Sequence, residues 1–302
     1  GRKEILLLIS FIVSVYLADK KFSAKIFNFQ IFFTFPILCL VWEQVVLFAP
    51  FFVVLIIYKN NLKTFMDTIK YSLVIFAPSI ITFFLIFNNP LSLEGHKLMC
   101  DFLLNNFGER CYMSAVLLVH NTIYFDTFHI HTSAKFFPDY FRYLLIFIVG
   151  FSFLHISLAK NNFSNRKNLI SAYFKPIYLF FLLYIPILPL FVFGLDWGRW
   201  IHITYSLSII LYFYFLKNSF ITNLFEIKNI FLKKIIQKRI VLFFLFFLFA
   251  FYWSPKTVIT GDIATNTFYK IVYNSTKKIF NHDGIRLFQD NPIIKFHKQY
   301  IE

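Results

Sequence analysis

Acidic residues are scarce in this sequence: 15 Asp and Glu stand against 30 Lys and Arg, leaving a formal charge of +15. Glycine is scarcer still, at 8 of 302 residues. No glycine-rich loop that could cradle a phosphate occurs, and no nucleotide-binding signature. Internal repeats are absent too, which removes the solenoid and array architectures. Three cysteines occur. Cys39 falls in an apolar run, whereas Cys100 and Cys111 fall in one polar stretch and could pair in an oxidising compartment.

What remains is hydrocarbon. Hydrophobic residues make up 58% of the chain, and the mean hydropathy is +0.65. Several apolar runs are long enough to cross a bilayer, so the expected class is all-α: a polytopic transmembrane helix bundle. The 46 Phe read as the codon bias of an AT-rich genome. The chain begins at Gly1 with almost no polar sequence before Leu6, which reads as a fragment or a processed chain.

Apolar runs occupy 4–18, 26–41, 43–58, 68–88, 139–158, 173–195, 198–216 and 240–253, predicting about seven or eight membrane segments. A span needs about 20 residues, so 68–88, 139–158, 173–195 and 198–216 are the strongest. The stretch 26–58 would be about 50 Å long as one helix. Pro36 and the Trp42-Glu43-Gln44 interruption predict instead a broken or hairpin segment. Residues 1–254 then form the transmembrane domain, and 255–302 a polar tail expected outside the cytoplasm.

Loop charges orient the bundle. The 159–175 loop carries Lys160, Arg166, Lys167 and Lys175 with no acid, and the 217–239 loop carries six cations against Glu226. Both should be cytoplasmic, which puts the outer loop 89–137 and the 193–199 turn outside. A hairpin across 26–58 places Lys20, Lys21, Lys25, Lys59 and Lys63 together on the cytoplasmic side and Glu43 opposite. The basic charge is therefore a topology signal, and no nucleic-acid partner is expected.

Polar groups inside membrane segments need a partner or a water-filled cavity. Glu43 stands between "LCLVW" and "VVLFAPFF". Within "LDWGRWIHI", Asp196 and Arg199 are three apart and can meet on a helical turn. One reading is a local salt bridge closing the turn, with Trp197 and Trp200 as interface anchors. The other has Arg199 present its planar fork to an anionic group such as a lipid-linked pyrophosphate, with Asp196 orienting it. Further candidate binding residues are His202, Arg142 and, in the outer loop, His120. The segment "MSAVLLVHNTIYF" in that loop fits an amphipathic interfacial helix. His129 and His131 lack the spacing of a metal site, so neither a metal nor a cofactor is expected. The sequons at Asn162 and Asn274 carry no weight without a known host.

Two short elements have a family likeness. "WEQVVLFAPFFVVL" resembles a His-Glu-Gly-x-x-Phe-Phe-x-Pro-like element, with Trp42 and Gln44 in place of the His and Gly. "LDWGRWIHI" resembles an Asp-Trp-Gly-Arg-Trp element. Together they cover about 25 residues and resemble the bacterial O-antigen or exopolysaccharide polymerase-like group, including EpsG-type proteins. The resemblance implies glycosyl transfer at the outer face of the bacterial inner membrane. A polyprenyl-pyrophosphate-linked glycan would be the donor, with membrane lipids and other surface-polysaccharide assembly proteins as neighbours. It also implies Arg199 steadying the leaving group and Glu43 or Asp196 as base, with Trp197 and Trp200 at the substrate. A transporter or flippase for a lipid-linked or anionic solute, and a non-catalytic membrane subunit, are the rival readings.

Overall fold

Helix follows helix along this chain, each ended by an identifiable residue. A computed structural model describes residues 3–19, 21–89, 92–108, 137–164, 168–194, 196–221 and 240. Among these every regular element is helical, apart from one isolated bridge between Phe163 and Ile221. The chain divides into two compact units, Gly1–Ile130 with Val192–Gly194, and His131–Phe191 with Leu195–Glu302. The tail 255–302 and the run 240–253, except Ile240, lie outside the described residues.

The first unit contains α1 (Glu4–Ala18), α2 (Ala24–Val41), α3 (Ala49–Asn60), α4 (Phe65–Asn88) and α5 (Leu93–Phe107). A 3-10 helix at Glu43–Phe48 precedes α3. Ser23, Thr64 and Ser92 each accept a backbone N–H at the start of α2, α4 and α5, as N-caps do. Asn61 ends α3 in the left-handed conformation at φ 52°, which Asn tolerates better than most residues. Ring packing supplies the core. Phe35 meets Phe52 at 5.1 Å and Phe76 at 4.9 Å, while Phe11 meets Phe52 at 5.1 Å, all near edge-to-face. That geometry suits the aromatic quadrupole.

Residues 26–58 do form a hairpin. The side-chain amides of Asn28, early in α2, and Asn60, at the end of α3, exchange hydrogen bonds of 3.2 Å. The two helices are therefore antiparallel. Pro36 is not where the chain breaks: α2 runs through it to Val41, and the break is the extended Trp42 at φ −160°, ψ 100°. At one end of this unit Lys3 lies over the Trp42 ring, 5.7 Å from its centroid, beside Glu43. At the other, the Lys59 ammonium donates to the Asp19 carbonyl, near Lys21, Lys25 and Lys63. The cation-rich segments thus share the end opposite Glu43. Helices α1 and α2 are joined by a polar seam: the Ser14 hydroxyl lies 2.7 Å from Gln30 Oε1, and Gln30 Nε2 donates to Thr34 Oγ1 at 3.0 Å. Such bonds hold helices together where apolar contrast with lipid is weak. Helix α5 occupies the start of the 89–137 loop; the rest of that loop up to residue 136, including the 113–125 segment, lies outside the described residues.

The second unit contains α6 (Phe137–Lys160), α7 (Leu169–Tyr173), α8 (Pro176–Tyr184), a 3-10 turn at Ile185–Ile187, α9 (Leu188–Phe193) and α10 (Trp197–Lys217). The last residues of α9 are grouped with the first unit. The 173–195 run is thus not one smooth helix. Pro186 and Pro189 remove backbone donors, and the chain tightens to 3-10 geometry there.

Among the described residues, five segments are long and apolar enough to cross a membrane: Ala24–Val41, Glu43–Asn60, Phe65–Asn88, Tyr143–Lys160 and Pro176–Phe193. α10 is not among them, although 198–216 was expected to span. Its 21 residues have the length, about 31 Å, but Arg199, His202, Thr204, Ser206 and Ser208 reduce its hydropathy. About half of its residues are buried within its unit. A helix whose polar groups face other helices needs less hydrocarbon of its own.

Candidate functional site

The sequence Asp196-Trp197-Gly198-Arg199-Trp200 opens α10. Asp196 stands where an N-cap belongs, and an Asp there normally accepts a backbone N–H of the first turn. Here it makes no such bond. Its Oδ2 instead holds an Arg199 guanidinium nitrogen at 2.8 Å, with both side chains about one-third exposed (33% and 31%). Arg199 lies in the first turn, where the helix dipole is already positive. A cation at that position raises the local potential, and the Asp196 carboxylate lowers it again. The result is a charged, partly open turn.

Beneath the pair lies a rigid aromatic frame. Trp197 is 0% exposed and Trp200 2%. Trp197 packs on Tyr140 at 4.4 Å, Tyr143 at 5.2 Å and Phe191 at 5.7 Å, and Phe191 also meets Trp200 at 5.5 Å. The Tyr140 hydroxyl donates to the Phe191 carbonyl at 3.4 Å, closing the frame. The two indoles are therefore anchored inside the protein, and neither offers an open face to a sugar or to the membrane interface. The Trp200 Nε1–H is buried with no hydrogen-bond partner. A buried, unmet donor costs about 1–3 kcal/mol. That N–H is enclosed by the frame, so its cost is borne by the fold.

His202 follows Arg199 by three residues and Ser206 by seven, so the three share one face of α10. His202 is half-buried, and its carbonyl accepts the Ser206 hydroxyl at 2.8 Å. Arg142 lies on α6 between Tyr140 and Tyr143, the two residues packed on Trp197. Glu43 belongs to the first unit, where it begins the 3-10 helix and is half-buried. Its neighbour Trp42 donates from Nε1 to Gln44 Oε1 at 3.1 Å, so the residues standing for His and Gly brace the turn on either side of it. Cys100 on α5 is disulfide-bonded. His120, His129, His131 and Cys111 lie outside the described residues.

One polar cluster escaped the sequence reading. His155 Nε2 lies 3.3 Å from the Tyr184 hydroxyl, and the Ser208 hydroxyl donates to the same oxygen at 3.5 Å. The three come from α6, α8 and α10; Tyr184 ends α8, half-way along the apolar segment Pro176–Phe193, and Ser208 stands near the middle of α10. An imidazole inside an apolar run was the available signal; its partners were not legible because they arrive from two other helices.

Comparison with protein-family models, curated proteins and solved structures finds no match to this chain.

Proposed function

We propose that this helical membrane protein is a polysaccharide polymerase-like glycosyltransferase acting on polyprenyl-pyrophosphate-linked glycans at the outer face of the bacterial inner membrane. The observation that carries the reading is the half-open Asp196–Arg199 pair, held at 2.8 Å over buried Trp197 and Trp200. The two short family-like elements support it: Glu43 is kept in the first, with Trp42 and Gln44 in place of its His and Gly, and the second reads Asp-Trp-Gly-Arg-Trp at 196–200.

In this reading an acceptor hydroxyl attacks the anomeric carbon of the donor glycan. A new C–O bond forms, the bond from that carbon to the diphosphate oxygen breaks, and the electron pair leaves with the diphosphate. Arg199 and the positive end of α10 stabilise the departing charge. Asp196, the carboxylate beside Arg199, takes the hydroxyl proton. The diphosphate is already a leaving group, so the step asks for no nucleotide.

Reconstituting the full chain in liposomes with a polyprenyl-diphosphate oligosaccharide tests this directly. Products longer than the donor are expected, and Arg199→Gln should slow their formation about 100-fold, as loss of one charge-stabilising donor typically does. Absence of elongation by the wild-type chain, or an unaffected variant, would reject the reading.

The His155–Tyr184–Ser208 cluster favours a second reading, transport, because carriers place polar groups near the middle of the bilayer. In the same liposomes, movement of the lipid-linked oligosaccharide between leaflets without elongation would support it.

A further inference from the structure

We propose that the lysine-rich end of the first unit holds a binding site for the phosphate headgroup of an anionic lipid. A cavity of about 850 Å³ opens there between α2, the linker after α3 and the first turns of α4, within the size range of ligand sites. Its polar wall carries Lys25, Lys63 and Lys70 against a single acid, Asp67. That acid is engaged locally: the Thr64 hydroxyl donates to it at 2.6 Å, completing the cap of α4. Among the described residues the three ammonium groups make no ion pair. Three unpaired cations around one concavity, at the positive end of a helix, leave a site short of negative charge.

The remaining wall is built for an amphiphile. Phe29, Phe32, Val74 and Ile75 line the same cavity, and Phe29 and Val74 are about two-thirds exposed. Phosphate and acyl chain would thus be met by one continuous surface, cations at the rim and hydrocarbon beyond. Behind it stands a fixed polar lattice. Asn28 Nδ2 donates to the Tyr71 hydroxyl at 3.1 Å, and Tyr71 donates to Asn60 Oδ1 at 3.2 Å. Asn28 and Asn60 are joined as well, so three helices are pinned before any ligand arrives. Preorganised walls lower the ordering cost of binding. Basic pockets between membrane helices are a general mode of anionic-lipid recognition. The site uses neither Asp196 nor Arg199, so it stands apart from the proposed activity.

The test is lipid retention by the purified full chain, read by native mass spectrometry after exchange into a zwitterionic detergent with phosphatidylglycerol or phosphatidylcholine. One phosphatidylglycerol should be retained in preference to phosphatidylcholine. Each Lys→Gln change should weaken it about five-fold, and K25Q/K63Q/K70Q together about 100-fold. The matching Lys→Arg triple should keep it. Lys63→Gln alone, in the linker and outside every helix, gives a readout if the triple variant misfolds. Equal retention of both lipids, or unchanged binding in Lys63→Gln or the Gln triple, would overturn the proposal. So would displacement by soluble glycerol phosphate at matched concentration, which would make the phosphate alone the ligand.

Discussion

Asn28 and Asn60 hold each other through two reciprocal amide bonds of 3.2 Å, one from each side chain, across 32 residues of sequence. This pair sets the register of the α2–α3 hairpin. Interhelical hydrogen bonds in membranes average about 0.6 kcal/mol each. Asn60→Leu should therefore lower unfolding free energy by about 1 kcal/mol in a detergent titration. The double variant Asn28→Leu/Asn60→Leu should cost less than the two single changes summed. Strict additivity would show that the amides do not cooperate.

Asp196–Arg199 should matter little to stability. Both side chains are about one-third exposed, and pairs of that kind contribute about 1 kcal/mol or less. Asp196→Asn should leave the thermal midpoint nearly unchanged while reducing glycan elongation about ten-fold or more. A large drop in the midpoint would make the pair a structural clamp instead.

The two tryptophans should behave unequally. Trp197 packs against three aromatic rings, so Trp197→Ala should cost about 3–5 kcal/mol. Trp200→Phe loses no hydrogen bond, because its N–H has none. It should cost only about 1 kcal/mol from missing volume, a difference that equilibrium unfolding resolves.

Ser79 is 1% exposed and its hydroxyl has no hydrogen-bond partner. Removing that group removes a desolvated oxygen. Ser79→Ala should be neutral or stabilising by up to about 1 kcal/mol, whereas Thr68→Ala, which breaks the 2.9 Å bond to the Thr64 carbonyl, should destabilise. The opposite order in thermal midpoints would overturn the assignment.

Much of the helical layout was legible because hydrocarbon runs and their polar interruptions are one-dimensional signals. The hairpin at 26–58 followed from length and from Trp42-Glu43-Gln44, yet Pro36 misled, since a proline can sit inside a helix whose neighbours tolerate the lost bond. The run 198–216 was read as a span from its length, while the polar residues that α10 carries and the burial of about half of it were not foreseen. The meeting of Asp196 with Arg199 was legible because three residues make one turn. His155 with Tyr184, and Lys70 beside Lys25 and Lys63, were not. Those groups converge from separate helices, and spacing along the chain says nothing of which helices pack.

The Phe163–Ile221 bridge, reinforced by the Ser164 N–H donating to the Phe220 carbonyl at 2.9 Å, also orders events during synthesis. It closes α7, α8, α9 and α10 into one loop that cannot shut until residue 221 has left the ribosome. The α1–α2 seam, by contrast, is complete once Thr34 has emerged. The second unit is therefore the late-maturing part of the chain, and a nascent protein arrested before Ile221 would hold the Asp196–Arg199 turn without the clasp that steadies the far end of its helix.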